Sequence, residues 1–407
     1  MASKSASPDA LRLVCARALR SLGYGLSSVL LGVMLRDMGL SRGEVGNLLT
    51  VALVGGIWTT SVAAFLADRL GRRRMLLAFA ALMAAAGVAF AVFENPWLLG
   101  AAALLGTISP TSSETAPFLS LEQAILPQVT PPASRTDLFA RYNFVALLAV
   151  AGGSLLAGLP ALLAPPGAAR LTAERGMFWL YAALAVGAAL LFWGLSSAVE
   201  AEHEPGEATR TPFLKESRGL VLRLAGLFAV DALGGGFVVQ SILALWFHER
   251  YGMDLGALGW LFLAANMAAA VSLLAAPRLA RRFGLLNTAV FTHLPSNLLL
   301  IAVPLMPSAP LAVAALLARQ TLSQMDVPTR QAYTMAVVPP AERTAAAGVT
   351  SVARSAASAA GPTLAGAAME VLPLVVGLPF LLGGALKIVY DLSLYFVFRH
   401  VKPRSEN

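Results

Sequence analysis

Twelve stretches of about 20 or more mostly apolar residues run through this chain, each fenced by charges, prolines or glycines. They fall at 11–35, 45–67, 75–93, 97–128, 142–163 and 177–197 in the first half. The second half has 224–247, 255–276, 287–306, 311–338, 344–369 and 373–398. Each is long enough to cross a hydrocarbon layer as a helix. A backbone in lipid finds no water to bond, so only helices and closed barrels can span it. These runs are continuous and rich in Ala and Leu, without the alternation of a barrel strand, so helices are predicted.

Composition agrees. Apolar residues make up 57% of the 407 and charged ones 13%, against about a quarter charged in a soluble domain. The net charge of +8 is a matter of placement. Eighteen Lys and Arg, among them Lys4, Arg69, Arg135, Lys215, Arg282, Arg343 and Arg404, lie on the side that holds both termini. Five lie opposite: Arg36, Arg42, Arg170, Arg175 and Arg250. The positive-inside rule makes the first side cytoplasmic. The basic excess therefore reports orientation and not nucleic-acid binding. Residues 1–10 are short and polar with no cleavage site after them, so no cleavable signal is predicted. An Ala-, Arg- and Gly-rich membrane protein of this kind suits a bacterial inner membrane. Cys15 is the only cysteine, which excludes a disulfide framework and a cysteine metal site.

The chain is duplicated. Pro131-Pro132-Ala133-Ser134-Arg135-Thr136 returns 208 residues later as Pro339-Pro340-Ala341-Glu342-Arg343-Thr344. Gly46 and Gly71 match Gly259 and Gly284 at an offset of 213. Six spans per copy keep the two copies in the same orientation. The division is a six-helix half at 1–197, a polar cytoplasmic linker at 198–218, and a second six-helix half at 219–407.

Between the second and third spans stands Ala64-Phe65-Leu66-Ala67-Asp68-Arg69-Leu70-Gly71-Arg72-Arg73-Arg74. It resembles the loop signature of the major facilitator superfamily, Gly-x-x-x-Asp-Arg-x-Gly-Arg-Arg. Ala64 stands where that family has its first glycine, and Asp68, Arg69, Gly71, Arg72 and Arg73 carry the match. The second copy keeps Gly284 but has Arg281 in place of Asp68. The resemblance implies an all-α polytopic fold of twelve transmembrane helices in two pseudo-symmetric halves. It also implies alternating access, with spans 1, 4, 7 and 10 lining a cavity, and Asp68 with its arginines latching helix ends. The family's Gly-Pro pattern in the fifth span is not intact: 151–158 lacks the proline, while Gly361-Pro362 and Gly366 occur in the eleventh. The direction of transport is left open by that departure.

Ionisable residues inside a membrane are costly and mark pathways or pairs. Most of those here fall on spans 1, 4, 7 and 10. At about 1.5 Å per residue, Arg17, Arg20, Glu122, Asp231 and Arg330 share a level about 9–13 Å from the cytoplasmic ends. They read as an inner gate, with Glu122 and Arg330, at equivalent positions of the two copies, as the expected pair; permanent structural pairing is the competing reading. Asp326, at about 18 Å, and Glu114, at about 24 Å, lie deeper. Asp326, Glu114 and Asp231 are the proton-coupling candidates, although Asp326 could instead pair with Arg330 one turn on. Tyr24, Arg319, Gln320, Ser323 and Gln324 are the candidate solute contacts. Arg354 and Asp391 are expected to pair with Lys387 nearby. The triplet Gly234-Gly235-Gly236 is expected to face Gly23 and Gly25.

His203, His248, His293 and His400 are scattered, with no H-E-x-x-H motif and no phosphate-binding loop, so neither an enzyme nor an ATP-driven pump is expected. The expectation is a monomeric secondary transporter of a small organic solute that works with protons and needs no cofactor or metal. Proton-exchanging efflux is favoured, proton-coupled uptake is the alternative, and a transporter-like receptor is the competitor from another class. The orientation is testable in a Cys15→Ser background. A cysteine at Gly167 should react with an impermeant maleimide added to intact cells, and one at Ala208 only after lysis; the reverse pattern would invert the assignment.

Overall fold

A computed structural model describes residues 7–112, 117–131, 134–200 and 214–401, apart from the side chains of Asp68, Thr136, Ala341 and Val375. The helices of the first half are α1 (Pro8–Asp37), α2 (Arg42–Leu70), α3 (Arg72–Val92), α4 (Pro96–Leu105), α5 (Pro117–Ile125), α6 (Arg135–Leu156), α7 (Leu159–Leu163) and α8 (Ala168–Trp193). Those of the second are α9 (Arg218–Gly236), α10 (Gln240–Tyr251), α11 (Leu255–Phe283), α12 (Leu285–Ala302), α13 (Ala309–Ser323), α14 (Asp326–Val337), α15 (Arg343–Val371) and α16 (Leu378–Phe398). Among the described residues, nine helical segments are long and apolar enough to cross a membrane, α9 and α10 counting as one. Large apolar side chains such as Leu162, Trp193, Leu274 and Trp260 are exposed, as lipid-facing residues would be.

Besides the fifth, which breaks between Leu156 and Leu159, three expected spans are interrupted helices. The fourth is split into α4 and α5, with Pro110 in the gap and Thr107 at φ 42. The seventh breaks between Gly236 and Gln240, and the tenth between Ser323 and Asp326. An apolar run in the sequence shows that a segment lies in lipid but not whether its helical ladder is continuous; Pro277, Pro295 and Pro362 lie inside unbroken helices. The breaks in the fourth, seventh and tenth fall on three of the four spans expected to line a cavity.

Local chemistry sets the helix ends. Ser7 caps α1 by accepting from the Ala10 amide at 3.2 Å, with Pro8 following it. Ser41 and Glu44 form a reciprocal capping box on α2, with bonds of 2.7 and 3.2 Å. Gly71 turns the chain between α2 and α3 at φ 95, and its sequence match Gly284 does the same between α11 and α12 at φ 83. Glu342 ties the start of α9 to the loop before α15. It accepts from the amides of Lys215, Glu216 and Ser217 at 2.8, 2.9 and 3.0 Å, and from the Ser217 hydroxyl. Those hydrogen bonds, the one from Ser217 foremost, hold its carboxyl down at about 2.

The helices gather into two compact units, Met1–Glu204 with Leu243–Leu263, and Pro205–Ile242 with Ala264–Asn407. In the first, α1 packs along α6 and α8, and α3 along α8. In the second, α9 packs along α15 and α16, and α12 along α16. Each unit has very close helix crossings. A Cβ on Gly25 would lie 2.1 Å from the Val150 carbonyl oxygen, and one on Gly153 would lie 2.0 Å from that of Leu22. In the second unit a Cβ on Gly361 would lie 2.2 Å from the Gly236 carbonyl carbon. Small residues at such crossings let two backbones touch. The glycine triplet and the pair Gly23 and Gly25 each have their nearest neighbours inside their own unit. Gly234 and Gly236 pack on α16 and α15, and Gly23 and Gly25 on α8, α3 and α6.

Gly153→Val should force α1 and α6 apart and lower the unfolding midpoint in detergent, at a cost of about 2 kcal/mol or more. Gly176→Ala on α8, where the new methyl meets open space, should leave the midpoint within about a degree of wild type.

Candidate functional site

Each unit buries an ion pair at its centre. In the first, Arg20 of α1 grips Glu122 of α5 in a two-pronged bond, Nη1 to Oε1 at 2.9 Å and Nη2 to Oε2 at 2.7 Å. Neither side chain has any exposure. Tyr142 of α6 donates its hydroxyl to the same carboxylate. The Arg20 guanidinium lies 4.3 Å from the Phe118 ring centre and 5.4 Å from that of Phe192, and Arg17 stands 4.8 Å above the Tyr142 ring. Aromatic faces and a bidentate carboxylate together offset the loss of water around a planar cation.

In the second unit the centre is Asp231 of α9. Its Oδ2 accepts from Arg330 of α14 at 2.9 Å and from Arg354 of α15 at 3.1 Å, and its Oδ1 accepts from Lys387 of α16 at 2.7 Å. The same Nη1 of Arg330 also lies 3.1 Å from Asp326 Oδ2, one turn earlier on α14. Beside this group Asp391 of α16, fully buried, meets His293 Nδ1 at 2.8 Å and accepts from Asn297 Nδ2 at 2.8 Å. His293 Nε2 lies 3.9 Å from Asp231, joining the two sets. Arg330, Arg354 and Lys387 thus balance Asp231, Asp326 and Asp391, with His293 as a further proton-binding group between them.

Within each unit the structure gives several of these residues partners other than those expected. Glu122 pairs with Arg20 inside the first unit, and Arg330 with Asp231 and Asp326 inside the second. Arg354 reaches Asp231 and not Asp391, while Asp391 meets His293 and Asn297 of α12. The alternative for Asp326, a pair with Arg330 four residues on, is present. Glu114 lies outside the described residues, as does the side chain of Asp68. Tyr24 is buried in the first unit, 6.5 Å from the Tyr181 ring. Gln320 accepts from Arg319 at 3.0 Å and from the Ser323 hydroxyl at 2.8 Å, and the Gln324 amide donates to Ser272 at 3.3 Å.

In the loop motif, Ala64 and Arg69 lie on exposed turns of α2. The amides of Arg72 and Arg73, at the start of α3, donate to Glu200 at 2.6 and 3.4 Å. Arg72 also bonds Gln128 at 2.9 Å, and Arg73 bonds the Trp193 carbonyl. Within the first unit the motif thus ties α3 to the end of α8 and the residues after it.

Sequence reasoning missed His293 and Asn297, and grouped Asp391 and Lys387 with Arg354 only as a structural pair. A signal existed: His293 and Asn297 are spaced by four inside an otherwise apolar helix, so they share a face.

A family model described as Major Facilitator Superfamily matches residues 13–362. An uncharacterized membrane protein of Saccharomyces cerevisiae is 28% identical over 433 aligned residues, covering 98% of this chain and 96% of that protein. A Na(+), Li(+), K(+)/H(+) antiporter of Planococcus maritimus is 27% identical over 28% of this chain and 27% of its own length. The crystal structure of a D-xylose-proton symporter superimposes with a TM-score of 0.77 at 15% identity, covering 98% of both chains.

Removing one partner of the first unit's pair strands a charge in the interior. Arg20→Met or Glu122→Leu alone should cost about 3–5 kcal/mol in detergent unfolding, while the double variant should recover most of that loss. A double variant as unstable as the sum of the singles would show that the two residues do not act as a pair.

Proposed function

Since the chain belongs to the major facilitator superfamily, and is a multi-pass transporter on that account, we propose that it carries a small organic solute by alternating access, coupled to protons through Asp326. One observation carries the coupling: a single nitrogen, Arg330 Nη1, serves two carboxylates, Asp231 at 2.9 Å and Asp326 at 3.1 Å. Asp231 answers three cations at once, so a proton added there would strand them. Asp326 shares only this one cation in the network. A proton on Asp326 would hand Arg330 wholly to Asp231, and its departure would draw Arg330 back. Two carboxylates competing for one guanidinium make a two-position switch, which a coupled cycle requires. Glu114 and Asp231 are secondary candidates. Arg17 is the remaining gate candidate, while Arg20 with Glu122 and Asp231 with Arg330 brace their own halves.

The cytoplasmic placement of both termini rests on the Lys and Arg count, and transport with no enzymatic step rests on family membership and the lack of a motif for such a step. Proton-exchanging efflux of a cationic or amphipathic solute is the direction that the buried carboxylates favour. Uptake by symport has its own support in Arg319. It is half-buried and near Asp231 and Asp326, and its Nε makes no hydrogen bond among the described residues, which suits an anionic group on a solute.

Reconstituted protein decides among these readings. An imposed pH gradient should drive solute uphill in proteoliposomes, inward or outward according to the coupling. Asp326→Asn should abolish the uphill movement while leaving solute-for-solute exchange within about threefold of wild type. Uphill transport that survives in Asp326→Asn removes the coupling role, and ligand binding without any movement would mark a receptor.

A further inference from the structure

Away from the ionic network, the first unit holds a half-open cavity of about 560 Å³ at the end where α1 finishes and α8 begins. The Lys and Arg count places that end outside. Its lining includes Asp37 of α1, Glu174 and Arg170 of α8, His248 of α10 and Asp254 ahead of α11. Glu174 is 1% exposed, yet its Oε2 has no hydrogen-bond partner. Asp37, exposed at the rim, lines the same cavity. Two carboxyl groups that line one cavity, one of them buried, repel each other unless they share a proton or a cation.

The other charged groups facing the pair are already engaged. Arg170 donates to the carbonyls of Ala161 and Ala164, at 3.3 Å for the first and 2.6 and 2.9 Å for the second. Arg36 bonds Glu249 at 2.7 Å and the Leu40 carbonyl at 2.7 Å. His248 Nδ1 meets the Met253 carbonyl at 2.7 Å, and Asp254 caps α11 through the Ala257 amide at 2.7 Å. What remains is a buried carboxyl oxygen without a donor, in a cavity open to water.

We propose that this cavity binds a small monovalent cation, which takes the place of the proton shared by Glu174 and Asp37. The exchange is balanced: the Glu174 O–H bond breaks, the proton leaves through the open mouth to water, and the cation sits between two ionised carboxylates. One monovalent cation for one proton keeps the local charge constant, which a poorly solvated site favours. An inorganic ion and a primary ammonium share this chemistry. The site is distinct from Asp326 and does not depend on its role.

Calorimetry on purified full-length protein tests it, with sodium chloride and methylammonium chloride as probes. Each titration is repeated in two buffers of different ionisation heat, at about pH 6 and about pH 8. At least one probe should bind with release of about one proton, its affinity rising up to about tenfold per pH unit. Binding of sodium alone or of methylammonium alone supports the site and identifies its source. Glu174→Gln, checked for an unchanged melting profile, should lose the proton release. His248→Gln should keep it, separating the carboxyl pair from the imidazole, and Glu94→Gln, at an exposed surface pair, should match wild type. No binding of either probe to wild type, or binding without proton release, overturns the proposal regardless of how the variants fold. Proton release that persists in Glu174→Gln overturns it as well.

Discussion

Arg20 and Glu122 are sealed from solvent, and in such an interior neither keeps its charge at tolerable cost without the other. The requirement that every buried charge meet its opposite fixes much of the first unit. It sets the rotation of α1 toward α5, brings α6 close enough for Tyr142 to reach the carboxylate, and turns Phe118 and Phe192 onto the guanidinium faces. The second unit obeys the same rule with more members. Asp231 alone draws α14, α15 and α16 toward α9. Removing water makes each pairing stronger and each omission more costly.

The two units repeat one scaffold with the charge inverted. Gly25 and Gly153 make a close crossing in the first unit, and Gly236 and Gly361, 211 and 208 residues further on, make one in the second. Arg20 and Asp231 are likewise separated by 211, and Glu122 and Arg330 by 208. A cation on α1 meets an anion on α5, while an anion on α9 meets a cation on α14. The backbone contact tolerates only glycine, so it persists. The ion pair needs opposite signs but not a particular order, so its polarity is free to differ. Around the inverted pair the second unit has added Arg354, Lys387, Asp326 and the His293–Asp391–Asn297 group. This asymmetry makes it the more suitable half for a titrating role.

Much of this was legible in the residues. The apolar runs, the left-handed turns at Gly71 and Gly284, and the concentration of charge on four spans all follow from local chemistry. The Asp326–Arg330 contact follows from helical spacing alone. The partner of Arg354 did not follow, because Asp391 and Asp231 lie at similar depth on different helices and only the packing distinguishes them. His293 was passed over because a single histidine in an apolar run carries no partner with it. The breaks in the fourth, seventh and tenth spans were hidden by hydropathy, which measures the preference of side chains for lipid and not the continuity of backbone hydrogen bonds.

By itself, then, the sequence determined the solvent in which this protein lives, its helices, its duplication, and which helices carry charge. These depend on residue type and on spacing along one chain. The tertiary structure decided which charge meets which, where the helices break, and that Glu174 and Asp37 share a cavity. Spacing locates a residue along its helix to within about a turn, roughly 5 Å. A salt bridge or a shared proton is won or lost over less than that, and between helices far apart in the chain only packing sets the distance.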